Sequence, residues 1–144
     1  MKTTSQDLSR QLKSIWPSMQ VILADREYWI PAENKVKSLV WDSYIDQYKY
    51  EIESFDCDDY ALVLHAFIVQ ERYRLAKQKK IPKDEWLPWA FGEAWGTRFD
   101  GVDTDHAINI CVTSDKGVIL IEPQSNDKIW TADRDRDHAY MCRM

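Results

Sequence analysis

The residues of this chain that could do chemistry start in the stretch FDCDDYA, residues 55–61, where one cysteine precedes two acids and an apolar run. The apolar run is typical of a helix, so Cys57 lies where that helix should begin. The unpaired N–H groups and the dipole of a helix N-terminus favour a thiolate and lower a thiol pKa. Cys57 is therefore a candidate nucleophile, and a buried, inert thiol is the alternative.

A thiol nucleophile needs a histidine that accepts its proton and a third group that orients the histidine. His65 lies on the same predicted helix, about 12 Å from Cys57 at the helical rise, which is too far for a hydrogen bond. His138 lies in a charged tail, where a solvated histidine is expected. His106 begins a predicted strand directly after an acidic loop, and Glu122 lies near the end of the next strand. These two are the candidate partners of the thiol.

Two strand signals, residues 106–113 and 117–123, are joined by a polar turn that ends in glycine, which predicts a β-hairpin. Counting outward from the turn, Thr113 pairs roughly with Val118, and His106 falls opposite about residue 125. A bulge or a slip of one or two residues would then place Glu122 or Gln124 against the imidazole.

The remaining pattern places helices before the sheet, and we predict an α+β fold in which N-terminal helices pack on an antiparallel sheet. The elements predicted outside the hairpin are a helix at 5–16 ended by Pro17, strand structure at 19–30, a helix at 31–50, a helix at 57–78, a loop at 81–105 and a poorly ordered tail at 133–144.

Length and composition narrow the classes of function. The 144 residues predict a single domain, 1–144, and the net charge of −5 argues against nucleic acid as a partner. No apolar run approaches a membrane span and no signal peptide is visible, so we predict a cytoplasmic protein without a membrane partner. Three cysteines without a close pair argue against a disulfide framework and a structural zinc site.

Three short motifs carry a resemblance to known enzymes. FDCDDYAL resembles the motif around the nucleophile of bacterial transglutaminase-like cysteine proteinases, and DHAINI and IEPQSN resemble their histidine and acid strands. The chain is also similar to the calcium-dependent, papain-like C-terminal protease domain of a mushroom agglutinin, over roughly residues 25–130. The resemblance implies a papain-like/transglutaminase-like fold and a cysteine hydrolase, a thiol protease or amidase, that acts on a peptide or another amide substrate.

The resemblance also implies the role of each catalytic residue. Cys57 would be the nucleophile, His106 the general base and then the general acid, and Glu122 the residue that orients His106. The glutamine that usually precedes the cysteine as an oxyanion donor is not at its usual place in this sequence. Gln47, Trp41 and the backbone N–H of Cys57 are the candidate donors.

The agglutinin-like resemblance implies a calcium site as well. It makes Asp58 and Asp59 calcium ligands, together with Gln124 or Asn126. Carboxylates and amide carbonyls are the oxygen ligands that calcium takes. The same acids also suit the first turn of a helix without any metal, and this alternative stays open.

Aromatic residues predict where a substrate would lie. The segment 84–105 before the histidine strand contains five aromatic residues and three glycines, which favours a groove wall with mobile turns. A loop that packs into the core is the alternative. We predict Trp41, Trp95 and Gln124 as substrate-binding residues.

Two other functions remain open on the sequence. The first is a non-catalytic binding or structural module on the same fold, with or without a bound metal. The second is a mononuclear metal site, for example zinc, held by Cys57, Asp59, His65 and His106, although these residues lack the close ligand pair that zinc sites show.

Overall fold

A computed structural model describes residues 1–124 and 126–144. Within these residues the chain forms eight strands, three α-helices and two short 3-10 helices at Ile45–Gln47 and Lys83–Glu85. In chain order the elements are β1 (Lys2–Thr4), α1 (Ser5–Ile15), β2 (Gln20–Ile22), β3 (Glu27–Trp29), α2 (Glu33–Ser43), α3 (Cys57–Lys77), β4 (Phe91–Phe99), β5 (Val102–Thr113), β6 (Gly117–Glu122), β7 (Lys128–Thr131) and β8 (His138–Arg143). No helix among the described residues is long and apolar enough to cross a membrane.

The predicted first helix is confirmed, and its start has a local cause. The Thr4 side chain accepts a hydrogen bond of 3.2 Å from the backbone N–H of Asp7 and so caps the helix. Leu8 and Leu12, four residues apart, are fully buried on one face of α1. The helix ends before Pro17, whose ring cannot continue it.

Helix α3 is confirmed within one residue of its predicted bounds and begins at Cys57. A capping box starts it: the Asp56 side chain accepts from the backbone of Asp59, and the Asp59 side chain accepts from the backbone N–H of Asp56 at 3.3 Å. This local pair determines that Cys57 is the first helical residue.

Six of the strands form one sheet in the order β2-β8-β4-β5-β6-β7, and β1 pairs with β3 in a separate two-stranded sheet. The predicted hairpin is confirmed as β5–β6, with Thr113 opposite Gly117 and Asn109 opposite Ile121. The register differs by one residue from the predicted Thr113–Val118 pairing. Strand β2 pairs with β8 in parallel, whereas the other pairs of this sheet are antiparallel.

Apolar residues are buried on both faces of the large sheet. One cluster joins α1 to residues such as Ala94, Ile108 and Leu120. The other joins α2 and α3 to alternate residues of the same strands, such as Phe91 and Ile119. Because side chains alternate along a strand, the two clusters lie on opposite faces, and helices cover both.

The predicted fold class, α+β with N-terminal helices packed on an antiparallel sheet, is wrong. The chain is richer in strands than predicted, the sheet is mixed, and helices lie on both of its faces. Two segments that were predicted to lack strands supply neighbouring strands of the sheet: the loop 81–105 contains β4, and the tail 133–144 contains β8.

Glycines and charged residues explain why the sequence pattern did not predict these two strands. A Cβ at Gly92 would lie 1.9 Å from the Arg143 carbonyl oxygen, so the close approach of β8 requires glycine there. Glu93 is buried in β4 because its carboxylate is bound to His65 and Arg143. Local strand propensity penalises both residue types, and only tertiary contacts explain them.

A buried amide joins α3 to the sheet. Asn109 of β5 is fully buried, and its Nδ2 donates to the Ala61 carbonyl in α3 at 2.8 Å and to the Gly92 carbonyl in β4 at 3.0 Å. The side chain therefore connects the helix that begins at Cys57 to two strands of the sheet.

We expect Asn109→Ala to lower the free energy of unfolding by about 1–3 kcal/mol, because it removes two buried hydrogen bonds and leaves a cavity. Urea denaturation monitored by circular dichroism measures the change. Thr104→Ala, at an exposed position of the same strand, is the matched control and should be nearly neutral. Equal stability of the two variants would contradict the bridging role of Asn109.

Candidate functional site

The structure brings His106 and Glu122 together. His106 is on β5, Glu122 ends β6, and His106 Nε2 lies 2.5 Å from Glu122 Oε2. The hairpin register runs through Asn109 and Ile121, so the pair is diagonal across the two strands. The other Glu122 oxygen accepts a hydrogen bond of 3.0 Å from the backbone N–H of Gln124. This bond holds the carboxylate against the imidazole.

Cys57 lies beside this pair at the start of α3. Its thiol interacts with the backbone of Ala107, the neighbour of His106, but no hydrogen bond between the thiol and His106 is present in the described part of the chain. Burial raises the pKa of the Cys57 thiol above its ordinary value, and the charges of Asp56 and Asp58 raise it further. The thiol is therefore protonated at neutral pH, which is the opposite of what the helix dipole predicted.

The acids around Cys57 have separate roles. Asp59, a predicted calcium ligand, is engaged in the capping box. Asp58, the other predicted ligand, forms a side-chain hydrogen bond with Asp56 that raises the pKa of Asp58. Ligand atoms of Asp56, Cys57 and Asp58 lie within 4.8 Å of one another. Asp56 and Asp58 offer carboxylate oxygens that suit a calcium ion, and the Asp56 and Asp59 carboxylates both belong to the capping box.

The predicted amide ligands lie in the turn after β6. Asn126 has a positive φ of 51°, a conformation that asparagine tolerates. Asp127, which the sequence reasoning missed, is buried next to it, and burial together with the charge of Asp46 raises the pKa of Asp127 to about 6. Its position in a polar turn offered no signal that this carboxylate would be buried.

A cavity of about 180 Å³ adjoins the histidine and the glutamate. His106 and Glu122 line it together with two aromatic residues, Phe99 and Trp130, and with Lys128. The Lys128 ammonium is paired with Asp100 and lies 5.8 Å from the centre of the Trp130 ring. Phe99 lies in the segment 84–105 that was predicted as a groove wall, whereas Lys128 and Trp130 were missed because strand pairing alone brings them to this cavity.

The predicted substrate-binding tryptophans lie elsewhere. Trp41 is an exposed residue of α2. Trp95, on β4, pairs with Ala107 and Met141, and the Arg143 guanidinium lies 6.0 Å from its ring centre. Neither tryptophan lines the cavity beside His106. Their roles in ligand binding therefore stay predictions without support from this geometry.

The residues of the zinc alternative are not brought together. His65 Nδ1 is bound to Glu93 Oε1 at 2.8 Å, and the Asp59 carboxylate accepts from the backbone N–H of Asp56 in the capping box. Within residues 1–124 and 126–144, the group of three potential ligands close enough for one ion is the Asp56, Cys57 and Asp58 cluster, which lacks both histidines. A mixed cysteine and histidine zinc site is not supported.

Comparison with known proteins decides the family. Residues 28–128 match the family described as agglutinin C-terminal. The chain belongs to the agglutinin C-terminal family. No curated protein matches the chain.

Two solved structures share the fold. The chain is similar to a structure described as the PSL1a-E64 complex, with 19% identity and a TM-score of 0.76. It is also similar to Polyporus squamosus lectin bound to the human-type influenza-binding epitope Neu5Aca2-6Galb1-4GlcNAc, with 21% identity and a TM-score of 0.73. Each alignment covers 99% of this chain but only 51% and 49% of the two matched chains, so the chain spans about half of their length.

These findings correct the enzymatic interpretation. They name an agglutinin family and a lectin. The recognition as a papain-like/transglutaminase-like cysteine proteinase is wrong, and so are the papain-like fold class, the thiol protease or amidase activity and the peptide or amide partner.

The same findings fit the alternative function, a non-catalytic binding module, better than a cysteine hydrolase. The single domain 1–144, the cytoplasmic localisation and the bound calcium stay predictions.

We expect iodoacetamide to label Cys57 slowly at pH 7, because only the thiolate reacts and the thiol pKa is raised. The rate should rise about tenfold for each pH unit below that pKa. Asp58→Asn removes one of the charges that raise the pKa, so this variant should react faster at pH 8. Mass spectrometry of the labelled peptide gives the rates.

Asp84→Asn is the matched control, since Asp84 is an exposed acid in the 3-10 helix Lys83–Glu85. It should leave the labelling rate unchanged. Rapid, pH-independent labelling of Cys57 from pH 6 upward would show a lowered pKa and contradict the electrostatic account.

Proposed function

We propose that this chain is a non-catalytic carbohydrate-binding module whose ligand site is the cavity beside His106 and Glu122. The observation that carries the proposal is the pairing of aromatic rings with polar groups in this cavity. Membership of the agglutinin C-terminal family and the shared fold of a lectin described with a bound sialylated epitope support it.

The chemistry of the cavity suits a sugar ring. Sugars present C–H groups that pack on aromatic faces, and hydroxyl groups that exchange hydrogen bonds with planar polar side chains. Trp130 and Phe99 supply the aromatic surfaces. Glu122 accepts hydrogen bonds from hydroxyl groups, whereas Lys128 donates to them.

The size of the cavity limits how much of a glycan it would hold. At about 180 Å³ it is smaller than the roughly 300–1,000 Å³ that drug-sized ligands occupy. One terminal sugar would therefore enter, and the rest of a glycan would lie on the surface outside. The pairing of Lys128 with Asp100 would be the contact that an acidic sugar has to displace.

A glycan array followed by calorimetry on the best ligand tests this proposal. We expect Glu122→Gln to weaken binding at least tenfold, about 1.4 kcal/mol, because it removes the negative charge that orients His106 and accepts hydroxyl protons. Trp130→Ala should weaken binding as much. Trp86→Ala is the control, because Trp86 is a half-exposed tryptophan that does not line this cavity.

Two results would overturn the proposal. The first is the absence of binding to any glycan on the array by protein that melts cooperatively. The second is hydrolysis of an amide substrate library by the parent chain that disappears in Cys57→Ala.

Calcium binding near Cys57 is a further part of the proposal. A cation would relieve the repulsion between Asp56 and Asp58, whose carboxyl groups lie together. We expect millimolar calcium to raise the melting temperature relative to chelator, by an amount equivalent to about 2.7 kcal/mol at a hundredfold excess over the dissociation constant. Asp58→Asn should abolish the shift, and Asp59→Asn should lower stability but keep it.

An unchanged melting temperature in the parent chain would remove calcium from the proposal. A shift that survives in Asp58→Asn and disappears in Asp127→Asn would place the ion in the turn after β6 instead.

A further inference from the structure

A second cavity, of about 520 Å³, shares no lining residue with the cavity beside His106. One wall is the second half of α3, where side chains from His65 to Lys77 line it at helical spacing. The other wall includes the segment 86–89 that precedes β4. At the helical rise per residue, the α3 wall extends over about 18 Å.

The cavity is mainly apolar. Ile68 and Phe91 are buried along it. Val69, Tyr73 and Trp86 also line it and are 54%, 65% and 48% exposed. Large apolar side chains that are exposed around one concave surface indicate a binding site rather than a scatter of surface residues.

Arg72 places a positive charge in this apolar wall. The residue is only 9% exposed, its guanidinium carbon lies 5.0 Å from the centre of the Trp89 ring, and Nη2 donates to the Glu85 carbonyl. Burial lowers the pKa of Arg72. No carboxylate forms an ion pair with it, and its Nε has no hydrogen-bond partner, in the described part of the chain. A buried cation without a paired anion is unfavourable, which makes an anionic ligand the missing partner.

The other charges near this cavity favour the same kind of ligand. Lys77 adds a second positive charge at the C-terminal end of the α3 wall. His65 is held by Glu93, whose carboxylate is also bound to Arg143, so that acid is already neutralised. Among the described residues, Asp25 is the acid that lines the cavity. The charge of Glu85 raises the pKa of Arg72 without forming a salt bridge with it.

We propose that this cavity binds a small apolar carboxylate, of the class of medium-chain fatty acids. The carboxylate pairs with the Arg72 guanidinium, and the hydrocarbon chain lies along Ile68, Val69 and Phe91. A ligand that combines one anionic end with an elongated apolar body matches the single buried cation and the length of the apolar wall.

Calorimetry with decanoate below its micelle concentration tests the charge selectivity. We expect saturable binding of decanoate and at least tenfold weaker binding of 1-decanol, which has the same chain without the charge. Arg72→Gln should remove this preference. Arg74→Gln is the matched control, because Arg74 is exposed and paired with Glu71, and it should keep the preference.

A second pair of variants keeps the test independent of the fold, since Arg72 also packs on Trp89. Val69→Glu changes an exposed residue of the cavity, and we expect it to abolish decanoate binding. Leu62→Glu changes an exposed residue of the same helix outside the cavity, and decanoate binding should persist.

Equal affinity for decanoate and 1-decanol, or unchanged binding in Val69→Glu, would overturn the inference, as would the absence of decanoate binding. Glycan binding by the Val69→Glu variant is measured in parallel. It should be unchanged, because the two cavities share no residue.

Discussion

The buried amide of Asn109 is the contact on which the arrangement of the site depends. It reaches from β5 to the carbonyl of Ala61 in α3 and to that of Gly92 in β4. Cys57 lies one turn before Ala61, and His106 lies three residues before Asn109. The side chain therefore couples the helix start to the strand that carries the histidine. An amide with two buried acceptors can be satisfied in few arrangements, which is why one such residue specifies how a helix lies on a sheet.

A second set of contacts makes the C-terminal strand part of the same core. The Glu93 carboxylate is bound to His65 of α3 and to Arg143 of β8, and it is almost fully buried. The neutralising partners lower the pKa of Glu93 against the opposing effect of burial. Gly92 beside it allows the backbone of β8 to approach. Gly92 has no side chain that would block β8, and the buried charge of Glu93 is paired with His65 and Arg143. Both features allow β8 to pair with β4.

Several acidic side chains lie at the start of α3, beside the thiol of Cys57. The N-terminus favours negative charge, and a cysteine there is commonly a nucleophile. In this chain the Asp56 and Asp59 side chains form the capping box, and the charges of Asp56 and Asp58 lie near the thiol. Burial and these charges together outweigh the favourable interactions of the helix end. The thiol is therefore held in the neutral form.

The amino-acid sequence by itself determined the elements whose signals are local. Leu8 and Leu12 before Pro17 predicted α1, the acids around Cys57 predicted the start of α3, and the polar turn after Thr113 predicted the hairpin that brings Glu122 near His106. Caps, helical spacing and turn residues act within a few positions, so they can be seen without the fold.

Only the tertiary structure decided the rest. Strand β4 contains two glycines and a buried glutamate, and β8 follows a run of charged residues, so neither has a clear local pattern. The parallel pairing of β2 with β8 joins segments from opposite ends of the sequence. The pKa of Cys57 and the paired aromatic and polar walls beside His106 also depend on burial and on distant neighbours. Burial and long-range pairing are properties of the folded chain, and a short motif such as the one around Cys57 does not contain them.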